Sequence, residues 1–101
     1  MQIEHWNEQW GELSEASLRK RLESDGYSVT RYDYPPGTYF SSHTHSFDKK
    51  DAVLSGRFLI RAKGREFILG PGDVLYVPAG TLHSAEVIGN ETVVSLDASK
   101  Y

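Results

Sequence analysis

The chain has 101 residues, a formal net charge of −3 and no cysteine. This length is typical of one domain. The lack of cysteine excludes disulfides, thiolate ligands and a cysteine nucleophile, and it suits a reducing cytoplasm, which is where we expect the protein to act. Charges of both signs are scattered without a basic stripe, so we expect no nucleic-acid partner. No apolar run approaches the ~20 residues of a membrane helix, and the polar N-terminus is unlike a signal peptide, so we expect no membrane partner.

The first twelve residues carry both tryptophans, Trp6 and Trp10. We expect these two side chains to pack on the outside of the domain or on a partner subunit. The alternative is that they contribute to a ligand pocket.

Residues 14–25 predict the one helix of the chain. Ser14 is a suitable N-cap because its side chain can accept a hydrogen bond from a free backbone N–H of the first turn. Leu18 and Leu22 are four residues apart and therefore share one helical face. Gly26 follows and can end the helix. The apolar stripe is thin, so this helix should cover an edge or a seam.

After residue 26 the pattern changes to a period of two, with β-branched and aromatic residues between Gly- and Pro-containing turns. The predicted strands are 28–34, 38–42, 52–54, 58–62, 66–69, 74–77, 83–88 and 92–97. Such a series predicts an all-β, antiparallel sandwich or barrel. We therefore expect residues 1–26 to form an N-terminal arm and helix packed on a β-barrel of residues 27–101.

Three of the four histidines are candidates for a shared site. His43 and His45 are spaced i, i+2, which in a strand points both side chains to the same face. Two neighbouring imidazoles can share a metal ion or a substrate, and His83 is a third candidate. His5 is expected to be a surface residue.

The glycine, proline and histidine spacing resembles that of the cupins. The first cupin motif is Gly, five residues, His-x-His, a glutamate a few residues later, and a final Gly. Here Gly37 is followed by five residues and by His43 and His45, and the motif ends at Gly56. The position of the cupin glutamate is occupied by Lys49.

The second cupin motif is Gly, five residues, Pro-x-Gly, two residues, His, three residues and Asn. This chain has Gly72, Pro78, Gly80 and His83 at those spacings, with Val87 in place of the asparagine. The resemblance implies a double-stranded β-helix, or jelly roll, which here carries one N-terminal helix.

The resemblance also implies that His43, His45 and His83 bind a metal inside the barrel. Three neutral imidazoles leave an open coordination position, and the expected cofactor is a divalent Fe, Mn, Ni or Zn ion. No carboxylate ligand is carried over, because Lys49 occupies that position. An ammonium about 4 Å from a divalent ion raises the energy by about 8 kcal/mol at an effective dielectric near 20.

Lys49 can avoid this repulsion if its head reaches solvent, if it loses its proton, or if it pairs with a neighbouring aspartate. Asp51 is on the same strand face as Lys49, whereas Asp48 faces the other way in a regular strand. Either is a candidate replacement ligand, with Asp51 the better one. The alternative is that residues 48–51 form a solvated charged run at the start of a strand.

Four aromatic residues are expected in the core or in a pocket wall, with the core favoured. They are Tyr39, Phe47, Phe58 and Tyr76.

Three functions remain open at this point. The first is a small metal-dependent enzyme, similar to dioxygenases or isomerases, that acts on a small molecule with Lys49 or Asp51 as the acid or base. The second is a metal-free module that binds a small anion through Lys49 and the histidines. The third is an interaction domain with a relic site, in which residues 1–12 cover a partner. In each case we expect a homodimer.

Overall fold

The computed structural model describes all 101 residues and contains nine strands, one α-helix and one 3₁₀ turn, Glu8–Trp10. The helix α1 is Glu15–Ser24, and the strands are β1 Ile3–Glu4, β2 Ser28–Tyr34, β3 Tyr39–His43, β4 Asp48–Ser55, β5 Arg57–Ala62, β6 Arg65–Leu69, β7 Val74–Val77, β8 His83–Ile88 and β9 Val93–Lys100.

The strands form two antiparallel sheets. One has five strands in the order β1-β7-β4-β9-β2, and the other has four in the order β3-β8-β5-β6. Their inner faces pack on each other around a core of Val53, Phe58, Ile60, Phe67, Leu69, Leu75, Val77, Ala85, Val87 and Val93. This arrangement confirms the expected double-stranded β-helix with one N-terminal helix.

Two strand assignments from the sequence were incomplete. Strand β1 was not predicted, although Ile3 pairs with Leu75 of β7. Strand β4 begins at Asp48 rather than at Ala52, because its polar first half is hydrogen-bonded on both sides, to β7 and to β9.

The alternation of side chains decides which aromatic residues are buried. Phe58 is 3% exposed and belongs to the core, as expected. Tyr39 and Tyr76 are 58% and 41% exposed, so their assignment to the core or a pocket wall was wrong. Each precedes or follows an inward-facing residue, and period two therefore places it on an outer face. Phe47 is partly buried and packs on Tyr101, with ring centroids 4.7 Å apart.

Helix α1 covers the outer face of the five-stranded sheet near β2 and β9. Ser14 and Ser17 form a reciprocal capping box, in which each hydroxyl accepts a hydrogen bond from the other residue's backbone N–H. Leu18 and Leu22 are fully buried and, with three small or aliphatic residues of the sheet, make a second core. Those sheet residues are Ala52, Leu96 and Ala98. At ten residues, the helix is too short to cross a bilayer.

Both tryptophans pack on the outside of their own chain. Their rings meet edge to face with centroids 5.3 Å apart, and the Arg21 guanidinium lies 3.3 Å from the centroid of the Trp10 ring. Trp6 donates a hydrogen bond to the carbonyl of Gly11 and packs against the second core. Neither residue lines the cavity described below, so the pocket alternative is wrong. A role in a homodimer stays a prediction.

Candidate metal centre

Two of the three histidines, His43 and His83, lie on adjacent strands of the four-stranded sheet. His43 on β3 lies directly opposite His83 on β8, after a register shift that begins at Phe40. Such irregularities re-aim a side chain at the edge of a sheet. His45 follows β3 by two residues, and its carbonyl accepts a hydrogen bond of 2.8 Å from the backbone N–H of Gly80. The turn before β8 therefore holds the loop that carries His45.

The three imidazoles converge. Their ring centroids are 4.3 Å, 4.8 Å and 5.3 Å apart, and one ligand nitrogen from each lies within 4.8 Å of the others. His43 Nδ1 is 2.6 Å from the carbonyl oxygen of Ser41, and His83 Nδ1 is 2.8 Å from that of Thr81. A carbonyl only accepts, so Nδ1 carries a proton in both rings, and Nε2 is the nitrogen that remains for a metal. This is how metal-binding histidines are commonly oriented.

The third histidine has an unpaired buried nitrogen. Nε2 of His45 is inaccessible to solvent and has no hydrogen-bond partner. Burial, followed by the charge of Lys49, lowers the pKa of His45 to about 4, so the ring is neutral at neutral pH. A buried polar nitrogen without a partner is uncommon. Three converging imidazoles, one of them with such a nitrogen, fit a divalent transition metal.

The opposite wall of the site carries a second charged cluster. Lys49 Nζ lies 3.2 Å from Asp51 Oδ1 and 3.6 Å from Asp97 Oδ2. Asp51 on β4 is directly opposite Asp97 on β9. Burial alone lowers the pKa of Lys49, but the two carboxylates outweigh it, so the pKa is raised and the ammonium stays charged. Burial raises the pKa of the Asp51 carboxyl, and Lys49 opposes that shift.

Asp97 is held by two further donors. The Ser95 hydroxyl donates a 2.7 Å hydrogen bond to Oδ1, and the Tyr34 hydroxyl donates one of 3.3 Å to Oδ2. Burial and the nearby Asp97 raise the pKa of Tyr34, so the phenol keeps its proton and remains a donor. These contacts fix the carboxylate in one orientation.

A cavity of about 340 Å³ lies between the two clusters, large enough for a small molecule. The four-stranded sheet and the following loop supply the histidines, and the five-stranded sheet supplies Lys49 and the aspartates. Apolar and aromatic side chains complete the wall. The lining residues are Tyr32, Tyr34, Phe40, His43, His45, Lys49, Asp51, Phe58, His83, Ala85 and Asp97.

The structure therefore brings together the candidate residues from the sequence. Lys49 and Asp51 line the same cavity as the histidines, with side chains 12% and 5% exposed. The alternative of a solvated charged run over residues 48–51 is wrong for these two residues. Asp48 faces the other way, as expected, and accepts a hydrogen bond from the backbone N–H of Ala79. His5 is exposed and contacts Asp73, outside the site.

Sequence reasoning missed Asp97, Ser95 and Tyr34. A signal was present in β9, where Ser95 and Asp97 are two residues apart and share a face with Val93. The opposite face of β9 carries Leu96 and is also buried, under α1. Both faces of the strand therefore look internal in the sequence, and the polar face was not recognised as a pocket wall.

The family model of the cupin domain matches residues 30–99 of this chain, which is more than half of its length. No protein of curated function shows a significant match. Among solved structures, KdgF from Halomonas sp. is 24% identical with a TM-score of 0.65, and the match covers 74% of this chain and 69% of that protein. TT1209 from Thermus thermophilus is 27% identical with a TM-score of 0.64, covering 69% and 68% of the two chains.

The DMSP lyase DddQ from Ruegeria pomeroyi is 22% identical with a TM-score of 0.67. That match covers 74% of this chain but only 38% of the lyase. The present chain thus spans about two thirds of the Halomonas and Thermus proteins and less than half of the lyase. The likeness to the Halomonas protein and the lyase concerns the fold, whereas the sequence match defines the family. This chain belongs to the cupin domain family.

Proposed function

We propose that this cupin holds one divalent transition metal ion with His43, His45 and His83 and acts on a small molecule in the adjoining cavity. The observation that carries the proposal is the buried, unpartnered Nε2 of His45 beside two imidazoles that already direct their Nδ1 protons to carbonyls. Fe, Mn, Ni and Zn are the candidate ions.

The proposed chemistry is similar to that of dioxygenases or isomerases. When bound, the metal would supply Lewis acidity at a position left open by three protein ligands. The protein would bind the substrate between the imidazoles and the aromatic wall, to which Phe40 and Phe58 contribute apolar surface. One fold supports many activities, so the fold alone does not transfer a substrate to this chain.

Proton transfer in this proposal is assigned to Asp97. The sequence pointed to Lys49 or Asp51, but these two side chains are the more buried members of the charged cluster, at 12% and 5% exposed. Asp97 is 19% exposed and lines the cavity. A general base has to come within hydrogen-bonding reach of the proton that it removes. Lys49 would instead keep its proton and remain paired with the carboxylates of Asp51 and Asp97.

No observation favours the metal-free, anion-binding alternative. Its central residue, Lys49, is already paired with two carboxylates. An incoming anion would have to compete with both.

Metal analysis of the purified protein tests the proposal. Wild type should contain, or take up from added Zn²⁺ or Co²⁺, close to one equivalent per chain. His45→Ala should lose this binding, because it removes one of three ligands. His5→Ala is the matched control, since His5 is exposed and lies outside the cavity. An absence of uptake by wild type, or equal binding by His45→Ala and wild type, would contradict the proposal.

A further inference from the structure

A divalent ion at the three histidines would share its cavity with an ammonium. Lys49 occupies the position at which the cupin motif has a carboxylate ligand, so a negative charge has been exchanged for a positive one. Left uncompensated, that exchange would strongly oppose cation binding. In the structure, the carboxylates of Asp51 and Asp97 lie next to this ammonium.

We propose that Asp51 and Asp97 are the charge-compensating residues of the metal site. They hold the Lys49 head on the wall of the five-stranded sheet and offset its positive charge, so that three histidines can retain a divalent ion without a carboxylate ligand. This inference rests on the proposed function. It assigns both aspartates a positioning role toward the metal.

The charge count supports this role. When Asp51 and Asp97 are both ionised, one ammonium and two carboxylates sum to a single negative charge, which equals the charge of the one glutamate that the cupin motif normally provides. The compensation is local, because Lys49 Nζ is 3.2 Å from one carboxylate and 3.6 Å from the other. The negative charge is thus kept in the cavity but moved from the ligand position to the facing strands.

The contacts around Asp97 keep this compensation in place. Ser95 and Tyr34 donate hydrogen bonds to its two oxygens, so the carboxylate cannot easily turn away from Lys49. Asp51 is opposite Asp97 in the β4–β9 ladder, which places the two carboxylates side by side. An ammonium between two fixed carboxylates has little freedom to approach the imidazoles.

Titration with Co²⁺ tests the inference without any substrate. Asp97→Asn should weaken Co²⁺ affinity by about 10–100-fold, the usual effect of losing a residue that supports a metal site. The double variant Lys49→Met/Asp97→Asn removes the ammonium as well and restores the original net charge of the cluster. Its affinity should return to within a few-fold of wild type. Asp33→Asn is the matched control and should bind as wild type does, because Asp33 pairs with Arg31 outside the cavity.

Two results would overturn the inference while leaving the proposed function intact. In the first, wild type binds Co²⁺ but Asp97→Asn binds equally well. In the second, Asp97→Asn loses affinity and the double variant does not recover it. Failure of wild type itself to bind Co²⁺ would instead refute the proposed function and, with it, this inference.

Circular dichroism should confirm that each variant is folded. If Asp97→Asn does not fold, Asp51→Asn takes its place, because Asp51 is the nearer carboxylate to Lys49. The same loss and the same rescue by Lys49→Met are expected, and an affinity loss without rescue would again contradict the inference.

Discussion

Replacement of Lys49 by methionine should strongly destabilise the metal-free protein. The ammonium is 3.2 Å and 3.6 Å from two carboxylates, and all three side chains are at most 19% exposed. Removing one partner of a buried ion pair costs about 3–5 kcal/mol, because the remaining charge is left uncompensated. For a domain of this size that loss lowers Tm by about 10 °C or more. Thermal unfolding in the presence of a chelator measures it.

The adjacent lysine provides the control. Lys50 points to the other face of β4 and pairs with Asp25, which is 57% exposed. Because the carboxylate of this pair is in contact with solvent, the pair contributes about 0–1 kcal/mol, so Lys50→Met should lower Tm by only a few degrees. Equal losses in the two variants would refute the view that Lys49 is the charged centre of a buried cluster.

The pH dependence of Lys49→Met gives a second check. Burial raises the pKa of Asp51, and Lys49 opposes that shift, so removal of Lys49 should raise the pKa further. A carboxyl whose pKa is higher in the folded than in the unfolded state destabilises the fold when ionised, and this penalty disappears as pH falls through the folded pKa. Lys49→Met should therefore regain stability, relative to wild type, between neutral and mildly acidic pH. A Tm difference that does not change with pH would contradict this reasoning.

Three further variants test other parts of the structure. Lys49→Glu restores the carboxylate of the cupin motif and should tighten Co²⁺ binding at least about tenfold, which corresponds to about 1.4 kcal/mol; unchanged or weaker binding by the folded variant would mean that a carboxylate at position 49 does not reach the metal. Leu22→Ala should cost about 2–5 kcal/mol in urea unfolding, because Leu22 is 3% exposed in the second core; a loss below about 1 kcal/mol would mean that α1 packs loosely. Gly56→Ala should cost clearly more than Gly64→Ala in the same assay. Both glycines have positive φ, but only at Gly56 would a Cβ approach another atom closely, 2.7 Å from the carbonyl oxygen of Thr92; equal costs would show that the backbone there yields readily.

The histidine site was predictable because its information is local. Each cupin motif places its histidines at fixed spacings from glycines and prolines within a few residues, and the strand period then decides which side chains share a face. His43, His45 and His83 follow from those patterns alone. The same reasoning placed Asp51 on the inner face and Asp48 on the outer one.

The compensating half of the site depends on long-range pairing. Asp97 lies opposite Asp51 only because β4 and β9 are neighbours in the five-stranded sheet. The residues near Asp97 in the sequence do not indicate which strand will pair with β9. The early start of β4 was missed for a related reason. Lys and Asp are uncommon in strands, and here the two flanking strands override that preference. The two-residue strand β1 is too short to show a period.

The most direct test of the central claim is a crystal structure of the protein equilibrated with Zn²⁺, with anomalous diffraction recorded at the zinc edge. We expect one anomalous peak in the cavity, about 2.0–2.1 Å from a nitrogen of each of His43, His45 and His83, with Lys49 still between Asp51 and Asp97. A cavity without a peak, or one in which the Lys49 ammonium has moved among the imidazoles, would contradict it.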